Sequence, residues 1–375
     1  MNIRRITAVS TMAVAGALLV SACGASNSST TAATATTTPT PVATGNPTST
    51  VTLTEDGSSL LYPYLEELET PLNTAYPNIT LSPAAGGSGK GQSDAETGAV
   101  NMGGSDAYLS NGAETEYSGI LNIPIAVSAQ AVDYNLPGIS NLKLSGNIIA
   151  QIYQGSITKW NDSAISALNP GVTLPSTTIV PVRRLDSSGD TFIFTSFLSA
   201  TNSTWSSGPN FGTTVSWPSV SNEQTASGNP AMVTTCQSTA GCIAYIGISV
   251  EATAITDGLG EANLQNQAGN FELPTATNIN AAVAAGATNV PKDLRQSLIY
   301  ESGADSYPIV NFEYLVLHKA QSSLPTALAM RTFLTWAISS TGGATAANLT
   351  KENFVALPTS VIPNVTVAID SIYVP

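Results

Sequence analysis

Apolar residues along this chain fall into two alternating patterns: short Val/Ile/Leu-rich runs of strand length, and stretches with apolar positions three and four apart. An α/β protein reads this way. The run "VTL" from Val51 leads into "GSSLLYPYLEELETPL", where Leu61, Tyr64, Leu65, Leu68 and Leu72 fall on one helical face, and a strand-like "NITLS" follows. Ile148, Ile149 and Ile152 predict a helix in "SGNIIAQIYQG". Beyond it come a strand-like "TIVPV" and a helix-like "DTFIFTSFLSA". Met330, Phe333, Leu334 and Ala337 mark a last amphipathic helix. Ile123, Ile125, Val127 and Ala129 alternate as a strand should. No repeat of fixed period is evident.

The start does not belong to this pattern. Arg4 and Arg5 precede an uncharged run from Ile6 to Val20 and small residues ending at Cys23, the layout of a secretory signal over residues 1–22. The apolar run is too short for a comfortable membrane span. The ending "VSAC" resembles the lipobox of bacterial lipoproteins, which implies that Cys23 is lipidated and anchors the chain to the outer face of the plasma membrane. Residues 24–50 carry no charge and consist mostly of Ser, Thr, Ala and Pro. As a flexible coil, such a linker would span about 30 Å.

Residues 51–375 exceed what a single core usually organises, so two domains are expected. The formal charge of the chain is -13, and losing Arg4 and Arg5 with the signal takes it to -15. So acidic a surface argues against nucleic acid as a partner, because neutralising phosphates takes clustered Lys and Arg. After Cys23 only Cys236 and Cys242 remain, and in an exported chain this close pair is expected to form a disulfide. A metal pair is the weaker reading, since His318 is the only histidine and sits at the end of an apolar run.

Three places share one design, a strand-like stretch, a small-residue turn and a helix start: "TLTEDGSSLLYP", "TLSPAAGGSGKGQ" and "IVPVRRLDSSGDTF". The first N–H groups of a helix lack internal partners and carry partial positive charge, so an oxyanion can take them. Ser59, Ser88 and Ser188 would add hydroxyls, and Gly87, Gly89 and Gly189 would allow close approach of the backbone. One such turn is ordinary helix-capping vocabulary. Three in one exported chain point to anion binding. Enzyme motifs fail: "GGSGK" is neither a Walker loop, since Ala84 stands where its first glycine is needed, nor a nucleophile elbow.

Seven ordered blocks, "GSSLLYP", "GGSGKGQ", "NMGGSDAYLS", "QIYQGSITKWND", "RRLDSSGDTFIFTSFL", "GCIAYIGIS" and "YPIVNFEYLVL", resemble the phosphate-binding lipoproteins of bacterial phosphate ABC importers, in their mycobacterial form. The resemblance implies a two-lobed periplasmic-binding-protein fold of type II with phosphate clamped in a cleft between α/β lobes. The crossings would lie in "ILNIPIAVSAQAV" and "YPIVNFEYLVL", giving one lobe from 51–126 with 311–375 and another from 127–310. It implies a phosphate site made of Ser59, the backbone of Leu60, Ser88, Asp106, Arg184, Ser188, Gly189 and Asp190, with Asp186 holding the arginine from behind. Asp190 stands where the enterobacterial pattern has threonine. Two readings of it stay open, a second acceptor for ligand protons or a helix-end acid complementing the dipole.

Asp106 would accept the hydrogen bond of the phosphate's own hydroxyl, which sulfate lacks. Sites built to bond a ligand O–H reject analogues without it by about 10⁴ to 10⁵. No cofactor, metal or catalysis is implied, a monomer is expected, and the partner would be the permease of the importer. The alternatives are a receptor for another tetrahedral oxyanion and an exported phosphatase using the same cradle.

Overall fold

The computed structural model describes residues 40–375. The expected signal segment, Cys23 and residues 24–39 of the expected linker lie outside the described residues.

The apolar runs assemble into one mixed sheet. Its strands are β1 (Val51–Gly57), β2 (Ile79–Ser82), β3 (Met102–Ser105), β4 (Ile120–Tyr134), β5 (Val180–Arg184), β6 (Gln224–Ala226), β7 (Cys242–Gly247) and β8 (Val310–His318), in the spatial order β2-β1-β3-β8-β4-β7-β5-β6. A two-residue strand, Gly260–Glu261, also pairs with β4. β1 runs parallel to β2 and β3, and β5 runs parallel to β6 and β7. Between these parallel groups lie β4 and β8, antiparallel to each other over the whole of β8. β4 is buried on both faces for almost its full length, so its alternation does not separate core from solvent as it would in a surface strand. The register of β8 on β4 shifts between Glu313 and Tyr314, a bulge that turns the strand there.

The helices include α1 (Tyr62–Ala75), α2 (Ser88–Thr97), α3 (Gly146–Tyr153), α4 (Gly189–Thr201), α5 (Asn229–Gln237) and α6 (Leu324–Ala337), of which α1, α2, α4 and α5 follow the parallel strands. α1 begins with a proline in its first turn, where a missing N–H costs nothing, and buries Tyr64, Leu65, Leu68 and Leu72, the stripe read from the sequence. α3 buries Ile148, Ile149 and Ile152, and α6 buries Met330, Phe333, Leu334 and Ala337. One apolar core runs from Leu53 and Leu65 through Val127 and Phe312 to Phe194 and Tyr245.

The linker ends earlier than the composition suggested. Thr40–Pro41 pairs with Tyr373–Val374, Val42 is buried, and the Gly45 N–H donates to Thr332 Oγ1 at 2.8 Å. Asn46 and Pro47 accept hydrogen bonds from Asn78. An uncharged Ser/Thr/Pro composition marks a segment with little to bury. Here a single valine and satisfied backbone groups suffice to dock residues 40–50 on the body.

Cys236 at the end of α5 and Cys242 at the start of β7 form the expected disulfide. Among the described residues, no helix is long and apolar enough to cross a membrane.

Candidate functional site

Each parallel strand of β1, β2, β5 and β6 feeds a turn and a helix, and the N-termini of α1, α2, α4 and α5 converge beside the central β4–β8 pair. Ligands of α/β sheets are held outside the carboxyl ends of such strands. The first mouth differs in detail from expectation. Ser58, not Ser59, caps it: Ser58 Oγ accepts from the N–H groups of Leu60 and Leu61 at 3.0 and 3.1 Å and donates to Asp106 Oδ1. The Ser59 hydroxyl faces the other way and accepts from the backbone N–H of Asn229 at 3.1 Å. Two adjacent serines look alike in a sequence. The turn that starts α1 decides which one points at the acid.

At the second mouth, Ser88 Oγ donates to Asp106 Oδ2 at 3.2 Å, and the Asp106 N–H donates back to Ser88 Oγ at 3.3 Å. Gly87 precedes it with φ 93°, a left-handed conformation that side chains resist, and a Cβ there would lie 2.8 Å from Asp186 Oδ2. At the third mouth, Ser188 caps α4 by accepting from the Thr191 N–H at 3.4 Å. Gly189 packs so closely that an added Cβ would lie 2.4 Å from Asp106 Oδ2 and 2.5 Å from Ser88 Oγ. The Gly89 N–H donates to the Ser187 carbonyl at 3.0 Å. The three serine-glycine turns singled out in the sequence are therefore brought together, with Asp106 at their meeting point.

Arg184 ends β5 and is 3% exposed. Its Nε donates to Asp186 Oδ1 at 2.8 Å, its Nη2 to Asp186 Oδ2, and its Nη1 to Asp190 Oδ2 at 2.5 Å. Asp186 thus grips one edge of the guanidinium. Each terminal nitrogen keeps one further N–H for a ligand. Asp190 is not an exposed helix-end acid. It is buried, its Oδ1 accepts from Gln130 Nε2 at 3.1 Å, and its Oδ2 also accepts from Asn229 Nδ2 at 2.9 Å. Burial raises its pKa, opposed by the Arg184 charge and these two amide donors. Burial first, then the charges of Glu313 and Asp190, raises Asp106 well above the ordinary carboxylate range.

Several participants went unnoticed in the sequence. Asn229, at the start of α5, ties Ser59 to Asp190 and also accepts from the Gly247 N–H at 2.9 Å. The "SGNPAMV" stretch, with proline in the first helical turn, was the available signal for a fourth helix mouth. Gln130 and Glu313 sit inside strands, where no local pattern marks them. Tyr245 accepts from the Arg184 N–H at 2.9 Å and pairs with the Thr191 hydroxyl at 2.8 Å, fixing the end of β5 against α4. His318 lies at the end of β8 with Nε2 2.9 Å from the Glu96 carbonyl, a strand-end role. Among the described residues, no group of His, Cys, Asp and Glu is placed to hold a metal ion.

Comparison with known proteins agrees with this geometry. A family model described as a PBP superfamily domain matches residues 27–341. The phosphate-binding protein PstS of Methanocaldococcus jannaschii is 32% identical over 316 residues, covering 77% of this chain and 79% of that protein. Phosphate-binding protein PstS3 of Mycobacterium bovis is 30% identical over 391 residues, covering 99% of this chain and 100% of the relative. Among solved structures, a putative phosphate ABC transporter substrate-binding protein from Clostridium perfringens with bound phosphate superposes with a TM-score of 0.60 at 17% identity, over 82% of this chain and 100% of that one. With a family model over most of its length and PstS relatives at 30% identity or more over most of both chains, the chain belongs to the PBP superfamily and, within it, to the family of the PstS phosphate-binding proteins.

Proposed function

We propose that this protein is an extracytoplasmic, lipid-anchored receptor that captures inorganic phosphate and presents it to the permease of an ABC importer. The observation that carries the reading is the convergence on one point of Arg184, Ser88, Ser188, Gly189 and Asp106. The guanidinium and the helix N-termini donate to the oxyanion, and Asp106 accepts its proton. A tetrahedral anion needs donors on most sides, and only a protonated one has use for an acceptor. The net charge of -13 does not forbid capture, because salt screens exposed charges beyond about 8 Å while these donors act in contact.

In this reading Ser58 and the backbone of α1 complete the first mouth, Ser59 ties it to Asn229, and the Asp190 N–H donates while its carboxylate steadies Arg184. Residues 51–126 with 311–375 form one lobe and 127–310 the other, hinged along the β4–β8 pair and closing over the ligand. The lipid on Cys23 holds the receptor at the membrane surface, as a monomer. Sequence likeness to the PstS proteins over nearly the full chain supports the assignment to phosphate import.

Calorimetric titration with phosphate and with sulfate tests the reading. Phosphate is expected to bind tightly and sulfate weaker by several orders of magnitude. Comparable binding of the two would defeat it, and hydrolysis of a phosphomonoester by the pure protein would replace it with the enzyme.

A further inference from the structure

Glu313 lies on β8 at the bulge, with a side chain sealed from solvent. Its Oε1 accepts from the Ser128 hydroxyl and, at 3.0 Å, from Asn311 Nδ2. Its Oε2 is buried with no protein partner, and the antiparallel register of β8 on β3, with Tyr314 opposite Ser105, brings Glu313 level with Asp106. Asn311 ties the pair together from the side, donating also to the Asp106 carbonyl at 3.4 Å. Two carboxylates this close in a dry site do not both ionise.

The charges around them sharpen the point. Asp190 faces the pair from α4 and adds a negative charge to both. The nearby cation, Arg184, is already engaged by Asp186 and Asp190. Tyr314, next in the strand, turns its hydroxyl away to the Leu294 and Gln296 carbonyls. Fully ionised, the cradle would set one positive charge against four negative ones before an anion arrived. Burial pushes Glu313 up to about 7, opposed by the hydrogen bonds it accepts from Ser128 and Asn311.

We propose that Glu313 and Asp106 hold one proton between them, and that Glu313 is a positioning residue for oxyanion selectivity. With ligand bound, the proton rests on Glu313, whose Oε2–H donates to Asp106. Asp106 then stays a carboxylate, free to accept the ligand's hydroxyl, while the cradle carries one negative charge fewer. Ser128 and Asn311 hold Oε1 and leave Oε2 for this single task. The inference rests on the phosphate reading for its selectivity role, but the shared proton stands or falls without ligand.

The experiment compares wild type with Glu313→Gln, which keeps the shape and offers a permanently neutral N–H donor to Asp106. Phosphate Kd is measured by calorimetry from pH 6 to 9, and the ligand's own ionisation cancels in the ratio of the two proteins. Above pH 7 the wild-type Kd is expected to rise relative to that of the variant by about tenfold per pH unit. Parallel curves would overturn the selectivity role. In the ligand-free protein, carboxyl ¹³C NMR should show a group titrating at or above neutrality that is lost in Glu313→Gln. Two carboxyls titrating in the ordinary acidic range would overturn the shared proton. If wild type fails to bind phosphate at all, the receptor reading falls together with the selectivity role, and the NMR titration still decides the proton.

Discussion

Asp106 accepts from Ser58 and Ser88, so its carboxyl group is held rather than free to rotate. In Asp106→Asn the amide can offer an N–H where the carboxylate offered only acceptors. Phosphate affinity is expected to fall and sulfate affinity to rise, shrinking a preference of about 10⁴ to 10⁵ by orders of magnitude. Calorimetry with both anions reads this directly, and an unchanged ratio would place discrimination elsewhere. Arg184, Asp186 and Asp190 were expected in "RRLDSSGDTF" because that block resembles the phosphate-binding lipoproteins. Ser58, Asn229 and Glu313 were not. A hydroxyl, an amide and an acid occur everywhere, and only their packing gives them a common target.

At the level of elements, the four strand-turn-helix junctions are the functional units, and their fit to one another matters as much as their donors. Gly189→Ala would place a Cβ 2.4 Å from Asp106 Oδ2, across the meeting point of α4 and α2. Because Gly189 opens a helix, alanine suits its local backbone, and the conflict lies across the junction of the two proposed lobes. Phosphate affinity is expected to fall about 10- to 100-fold, in line with overpacking costs of roughly 1–3 kcal/mol, while the ligand-free melting temperature barely moves. A large drop in ligand-free Tm with affinity retained would contradict a role in closure. Helix existence was legible here from apolar spacing and small-residue turns. The tandem serines at α1 show the limit, since spacing is the same for both.

Across the whole molecule, buried acids far outnumber the cations available to pair with them. Asp133 on β4, Glu261 on the short strand beside it and Glu251 form a second acidic group, next to a cavity of about 290 Å³ away from the phosphate cradle. Burial pushes Glu261 up to about 9, Asp133 well above its usual range, and Glu55, beneath the α1 mouth, up to about 8. The folded protein holds these protons to higher pH than the unfolded chain does. The stability they contribute is therefore complete below the ordinary carboxylate pKa of 4.5 and is lost as pH rises toward 9. In phosphate-free buffer, Tm should fall between pH 5 and pH 9, and Glu261→Gln should flatten the decline. A Tm that rises over this range would contradict it.

The sequence by itself determined the α/β alternation, the helix faces, the disulfide pair and the residue types of an anion cradle, because these depend on local spacing and on a small chemical vocabulary. Only the tertiary structure decided which serine meets Asp106, that Asn229 joins two helix mouths, and that residues 40–50 dock on the body. It also decided that Glu313 comes level with Asp106. The two acids are far apart in the chain and sit on antiparallel neighbours, β8 and the end of β3, in a sheet whose order no local pattern encodes. Their proximity is a matter of strand register, which sets Tyr314 opposite Ser105.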